Sequence, residues 1–171
     1  IIGGGLAGLC LSIQLAKKNY HVVLIEKNRY PFHKVCGEYI SMESYGFLKS
    51  LGLNLDEMNL PIINQLNITA HNGYKISSPL ISGGFGISRY SLDYELAQIA
   101  KNEGVLVIED CNATHVQLDN TLYTIQTTIK SFKSKLVCGT FGKIDPSFFE
   151  RIKSKRKRNY IAVKYHIKTS F

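Results

Sequence analysis

The chain has 171 residues, 44% hydrophobic and 20% charged, with a formal net charge of +8. That is ordinary globular usage, which excludes a disordered, collagen-like or mucin-like chain and suits one domain, or one domain and part of another. The four cysteines, at 10, 36, 111 and 138, form no Cys-x-x-Cys pair, which argues against a disulfide scaffold or a structural zinc site and for a reducing, cytoplasmic setting.

The chain opens on a β pair, Ile1-Ile2, running into Gly3-Gly4-Gly5. Leu6, Leu9, Cys10, Ile13 and Ala16 recur at helical spacing, and Lys17-Lys18-Asn19 ends the pattern. His21 to Lys27 is the apolar, β-branched run of a parallel strand buried on both faces. Strand, glycine turn, helix and strand fit within about thirty residues, the size of a βαβ unit. Residues 1–13 are therefore the start of a nucleotide fold and not a signal peptide, which would carry basic residues first and fewer glycines.

Residues 28–41 form a loop, and Glu43 to Leu51 a short helix stopped by Gly52. Two short strands between Gln65 and Leu80 flank the His71-Asn72-Gly73 turn, and Ser82 to Gly86 is a flexible connector. Ser91 caps a helix carrying Leu92, Leu96, Ile99 and Ala100 on one face, with Gly104 just past its end. Val105 to Ile108 is a buried strand, residues 115–118 and 123–129 a hairpin, and Lys135 to Cys138 a further strand. Tyr160 to Lys168 also reads as a strand. The abrupt strand at each end leads us to expect a fragment of a longer protein.

Charge divides the sequence. Residues 1–129 hold nine Lys/Arg and eleven Asp/Glu, whereas residues 130–171 hold twelve and two, densest at 151–158. The basic run reads as a solvated loop. No aromatic platform or helix-turn-helix pattern accompanies it, so nucleic acid is not the expected partner. No segment reaches the length of a transmembrane span. His21, His71, His115 and His166 lack metal-ligand spacing, so no metal is expected.

The chemistry lies in Gly3-x-Gly5-x-x-Gly8. The first glycine makes a tight turn, the second lets backbone approach a pyrophosphate, and the third lets the helix pack on the strand. The helix N-terminus adds free N–H groups and partial positive charge. Glu26 ends the next strand, where a carboxylate accepts the hydroxyls of an adenosine ribose and repels a 2′-phosphate. This spacing points to a dinucleotide and leaves FAD and NAD both open.

Residues 1–26 resemble the opening of FAD-dependent oxidoreductases of the p-hydroxybenzoate hydroxylase type. Residues 33–41 (HKVCGEYIS) are similar to the K-x-C-G-E segment of the geranylgeranyl reductase branch and its halogenase-like relatives, and residues 87–96 (ISRYSLDYEL) to the Arg-x-x-Leu-Asp-x-x-Leu segment. The resemblance implies an α/β fold: a Rossmann-like FAD-binding domain of the GR2 type at 1–60 and 87–145, with part of a β-rich substrate domain at 61–86 and 146–171.

It also implies roles. Gly3, Gly5, Leu6, Ala7 and Gly8 would cradle the FAD pyrophosphate, and Glu26 with Lys27 would hold the adenosine ribose. Lys34 would lie beside the phosphates or ribityl chain, Cys36 and Gly37 toward the flavin, Arg89 at the cofactor from its helix start, and Val116 at the adenine through its backbone. Lys34 is alternatively a solvated loop lysine, Cys36 a small buried hydrophobe, and Arg89 a partner of Asp93 one turn on.

The family's Gly-x-Asp-Gly segment corresponds to Cys138 through Lys143, with Phe141 at the acidic position, a departure that bears on nicotinamide use. The implied function is a flavin-dependent oxidoreductase of monooxygenase or reductase character, reduced by NAD(P)H or another donor and acting on a small organic or lipid-like substrate. No catalytic acid or base is assigned, because the flavin carries the chemistry. Alone, the chain is expected to hold little FAD and to be inactive. The alternatives are an oxidoreductase using NAD directly, an inactive remnant, or a binding module using the basic tail.

Overall fold

A computed structural model describes residues 1–142, 163–165, 167 and 168. The basic run at 151–158 and most of the strand expected at 160–168 lie outside them, and residues 163–165, 167 and 168 take no regular structure. In chain order the elements are α1 (Leu6–Ala16), β1 (Val23–Ile25), β2 (Tyr39–Ser41), α2 (Tyr45–Leu51), β3 (Ile62–Thr69), β4 (Lys75–Gly86), α3 (Arg89–Asn102), β5 (Leu106–Ile108), β6 (Ala113–Asp119), β7 (Leu122–Thr127) and β8 (Ser131–Ser134).

The chain folds as an α/β Rossmann-like unit. β1 pairs in parallel with β5, and Ile2 bridges Ile25 on one side and Gly139 on the other, also in parallel. The amides of Ile2 and Thr140 donate to the carbonyls of Cys138 and Ile2, which stitches the returning chain beside the glycine turn. The side chains of β1 alternate between two cores, as a pleated strand buried on both faces requires. Leu24 enters the larger core with Leu9 and Ile13 of α1 and Leu92 and Leu96 of α3. Ile25 enters a second core with Ile2, Cys111, Ala113 and Ile125, under the antiparallel sheet β6-β7-β8. Helices thus cover one face of the central sheet and an antiparallel sheet the other.

The third sheet has the order β2-β4-β3. Its existence corrects the reading of Ser82 to Gly86 as a flexible connector: these residues are the end of β4, and Gly84, Phe85 and Gly86 pair with Ser41, Ile40 and Tyr39. The glycines there admit a close neighbour. A Cβ at Gly84 would lie 2.4 Å from the Tyr39 ring and 2.5 Å from the Ile40 carbonyl oxygen.

Two further elements differ from expectation. The N-cap of α3 is Ser88, whose hydroxyl accepts from the Ser91 amide at 3.1 Å, so Ser91 lies inside the first turn. The strand expected at Lys135 to Cys138 falls at Ser131–Ser134, where pairing with β7 supplies its hydrogen bonds, and the later residues form only the bridge at Gly139. α2 ends as expected at Gly52, in the left-handed conformation at φ 113°. Among the described residues, no helix is long and apolar enough to cross a membrane.

Candidate dinucleotide-binding site

The glycine turn joins Ile2 to α1, and close contacts explain three of its glycines. Gly3 has φ +105°, and a Cβ there would lie 2.5 Å from the Thr140 carbonyl oxygen. A Cβ at Gly8 would lie 2.0 Å from the Gly3 carbonyl oxygen and 2.8 Å from Thr140 Oγ1, so the helix approaches the strand through this residue. The Thr140 hydroxyl donates into this corner, with the Gly3 carbonyl at 2.6 Å and the Ile2 carbonyl at 3.0 Å.

Gly4 is as constrained as the motif positions, which the spacing rule did not anticipate. Its amide donates to Glu26 Oε2 at 2.7 Å, and its carbonyl accepts from the Tyr30 hydroxyl at 2.5 Å. A Cβ at Gly4 would lie 2.0 Å from that hydroxyl oxygen. Burial, reinforced by the carboxylates of Glu26, Asp93 and Glu109, pushes the Tyr30 phenol well above its usual range, so it stays a donor at neutral pH.

Glu26 is buried, and its other oxygen accepts from the backbone amide of Asn28 at 3.0 Å and the Asn28 side-chain amide at 3.1 Å. The acid at the strand tip therefore braces the turn through Gly4. A carboxylate offers about four acceptor positions and these bonds use three, which leaves capacity for one ligand hydroxyl.

Gly5 differs from its neighbours. It is the N-cap of α1 and provides no capping side chain, so the first-turn amides keep their capacity for an anion. A side chain begun at Gly5 would meet no backbone. Its nearest neighbours would be Lys34 Nζ at 3.6 Å and Arg89 Nη2 at 3.9 Å. Three chain segments thus converge here: the glycine turn, the loop after β1 and the start of α3.

Both cations are held by Asp93, which is buried at 1% exposure. Arg89 donates from Nε to Oδ1 at 2.7 Å and from Nη2 to Oδ2 at 2.8 Å, and Lys34 Nζ lies 3.1 Å from Oδ2. Burial works against the Arg89 charge. The hydrogen bonds and charge of Asp93, with the Cys36 side chain, outweigh it and raise the guanidinium above its usual value. Arg89 is therefore both one turn from its acid and aimed at the turn. Lys34 also lies 4.6 Å above the Phe32 ring.

The remaining expected residues sit less centrally. Leu6 and Ala7 form the first turn of α1 and line an apolar cleft of ≈ 300 Å³ with Cys10, Phe47, Leu48 and Leu92. Cys36 is half-buried beside Arg89, and its sulfur accepts from the Glu38 amide at 3.4 Å. Lys27 and Gly37 are exposed. The Val116 side chain packs into the second core, on the face of the central sheet away from α1. Lys34 lines a second cleft, ≈ 330 Å³, with His33, Val35 and Lys164, and Lys164 pairs with Glu38. Among the described residues, no three His, Cys, Asp or Glu gather as metal ligands.

The site thus combines glycines placed by contact with an uncapped helix start facing two cations. The fold is that of Rossmann-like dinucleotide-binding domains. Residues 1–35 match the NAD(P)-binding Rossmann-like domain family. Among solved structures, this Rossmann-like chain is similar to the myxobacterial chondrochloren halogenase CndH, an FAD-dependent halogenase (18% identity, TM-score 0.63, 77% of this chain and 33% of that one). It is likewise similar to the flavin-dependent halogenase CmlS (22%, 0.66, 78% and 26%) and to the Diels-Alderase PyrE3 of pyrroindomycin biosynthesis (18%, 0.63, 77% and 29%). The chain thus spans about a third or less of the length of these proteins. A comparison with curated proteins found no match.

Proposed function

We propose that this chain holds the adenosine-diphosphate side of FAD in a flavin-dependent oxidoreductase. The observation that carries the reading is the backbone-free face of Gly5, where the nearest atoms to its missing side chain are Lys34 Nζ at 3.6 Å and Arg89 Nη2 at 3.9 Å. A pyrophosphate would bind at this face, with backbone amides at the helix start on one side of it and the two cations on the other. Glu26 keeps one acceptor position for the ribose, with Lys27 beside it. Leu6, Ala7 and the apolar cleft behind them accept the less polar part of the cofactor, and Cys36 and Gly37 flank its flavin side. Val116 meets the adenine through its backbone.

Bound there, the flavin supplies the redox chemistry, and the chain's own residues bind it, orient it and shield it from water. In this reading residues 1–60 and 87–145 form the cofactor domain, and 61–86 with 146–171 begin a substrate sheet of the p-hydroxybenzoate hydroxylase and geranylgeranyl reductase kind. The whole protein is then a cytoplasmic enzyme acting on a small organic or lipid-like substrate, with NAD(P)H or another donor reducing the flavin. Phe141, whose ring lies against Gly139, occupies the position where the family carries an acid, and this favours another donor.

The match of residues 1–35 to NAD(P)-binding domains supports a second reading, direct use of NAD. Thermal unfolding with FAD or NADH at equal concentration separates the two, since a ligand that binds only the folded state raises the midpoint according to its affinity. The chain alone is expected to hold little FAD, so the proposal expects a small rise with FAD that still exceeds the rise with NADH. A larger rise with NADH replaces it by the second reading, and no rise with either removes both.

A further inference from the structure

Asp93 poses a physical problem. A carboxylate buried behind a phosphate site weakens anion binding if charge alone counts, because its negative potential opposes the ligand. Yet its two oxygens take two hydrogen bonds from Arg89 and an ion pair from Lys34, and both cations reach the backbone-free face of Gly5. We propose that Asp93 is a positioning residue, which fixes the Arg89 guanidinium and the Lys34 ammonium together beside Gly5 for a diphosphate. The inference rests on the reading of the glycine turn as a diphosphate site.

The geometry favours this role. Arg89 spends Nε and one hydrogen of Nη2 on Asp93, which locks the guanidinium plane; a further N–H meets the Cys36 side chain, and those left over face a ligand. Lys34 comes from a different segment, the loop after β1, and nothing in its own backbone sets its distance from α3. The shared oxygen Oδ2 sets it. Two cations on one acid still leave one net positive charge for the ligand. The acid fixes the spacing and the uncapped helix start supplies further attraction. Two long flexible side chains held in advance lose less entropy when the ligand arrives.

Charge and positioning predict opposite signs, which makes the test decisive. The probes are ADP and adenosine, titrated calorimetrically into the 171-residue chain. Asp93→Asn removes the opposing charge but also the strong brace. Arg89→Lys keeps every charge but breaks the two-pronged contact, and it carries the test if the first variant does not fold. Both variants should weaken ADP about tenfold, the size of one charge-assisted hydrogen bond, and should lower the ratio of ADP to adenosine affinity. A general loosening would lower both affinities together and leave the ratio unchanged, which overturns the proposal. So does ADP affinity that rises or holds in Asp93→Asn, or that equals wild type in Arg89→Lys. Absence of ADP binding to the wild-type chain overturns the diphosphate site itself, and this role with it.

Discussion

Tyr30 lies against Gly4, its hydroxyl donating to the glycine carbonyl at 2.5 Å, while Glu26 holds the amide of the same residue. The glycine turn is therefore clamped on both polar groups of one residue, by side chains from the end of β1 and the loop after it. Tyr30→Phe removes one jaw and leaves a buried carbonyl unpaired. The expected cost is about 1–3 kcal/mol. It should appear in urea unfolding as a lower midpoint with an unchanged slope. An unchanged midpoint would mean that the contact adds no net stability.

The glycines should separate fold from ligand. Gly8→Ala forces a methyl group to within 2.0 Å of backbone, and such overpacking costs about 1–3 kcal/mol or more. Gly5→Ala meets only the ends of Lys34 and Arg89 at ordinary van der Waals distance, so its cost is that of a poorer N-cap, about 0.5–1 kcal/mol. Unfolding midpoints of the two variants check the order. A Gly5 variant as unstable as the Gly8 variant would contradict the open face.

Glu109 should add an acid-sensitive increment to stability. Its carboxylate accepts from Lys101 Nζ at 2.6 Å and from the Tyr30 amide at 2.9 Å. Burial alone would raise its pKa. The hydrogen bonds from Lys101 and Tyr30, with the charges of Lys101 and Arg29, outweigh burial and lower it below the ordinary 4.5. The folded state therefore binds the proton less readily than the unfolded chain. The increment is present above about pH 4.5 and is lost as pH falls through the lower, folded value. Urea midpoints measured from neutral pH down to about pH 3 should fall less steeply in Glu109→Gln than in wild type. Equal slopes would remove the effect.

Much of the turn was legible because its rules are local. Gly3, Gly5 and Gly8 follow from spacing, and Glu26 from its place at a strand tip. The clamp was not legible, because nothing in the sequence marks Tyr30, and Thr140 reaches Gly3 across 137 positions of chain. Asp93 was visible only as a helical partner of Arg89, since its bond to Lys34 depends on the fold. The end of β4 was misread because Gly83, Gly84 and Gly86 favour a connector, whereas β2 pairs there and Tyr39 needs the space. Propensity is a weak guide where strand pairing decides.

The most direct test of the central claim is calorimetric titration of ADP into the wild-type chain and into Gly5→Val, with folding verified by circular dichroism. If the bare backbone of Gly5 is where the diphosphate lies, the wild-type chain binds ADP saturably, and the folded variant loses that binding because its side chain enters the space before Lys34 and Arg89. ADP binding of equal strength in both would contradict the account.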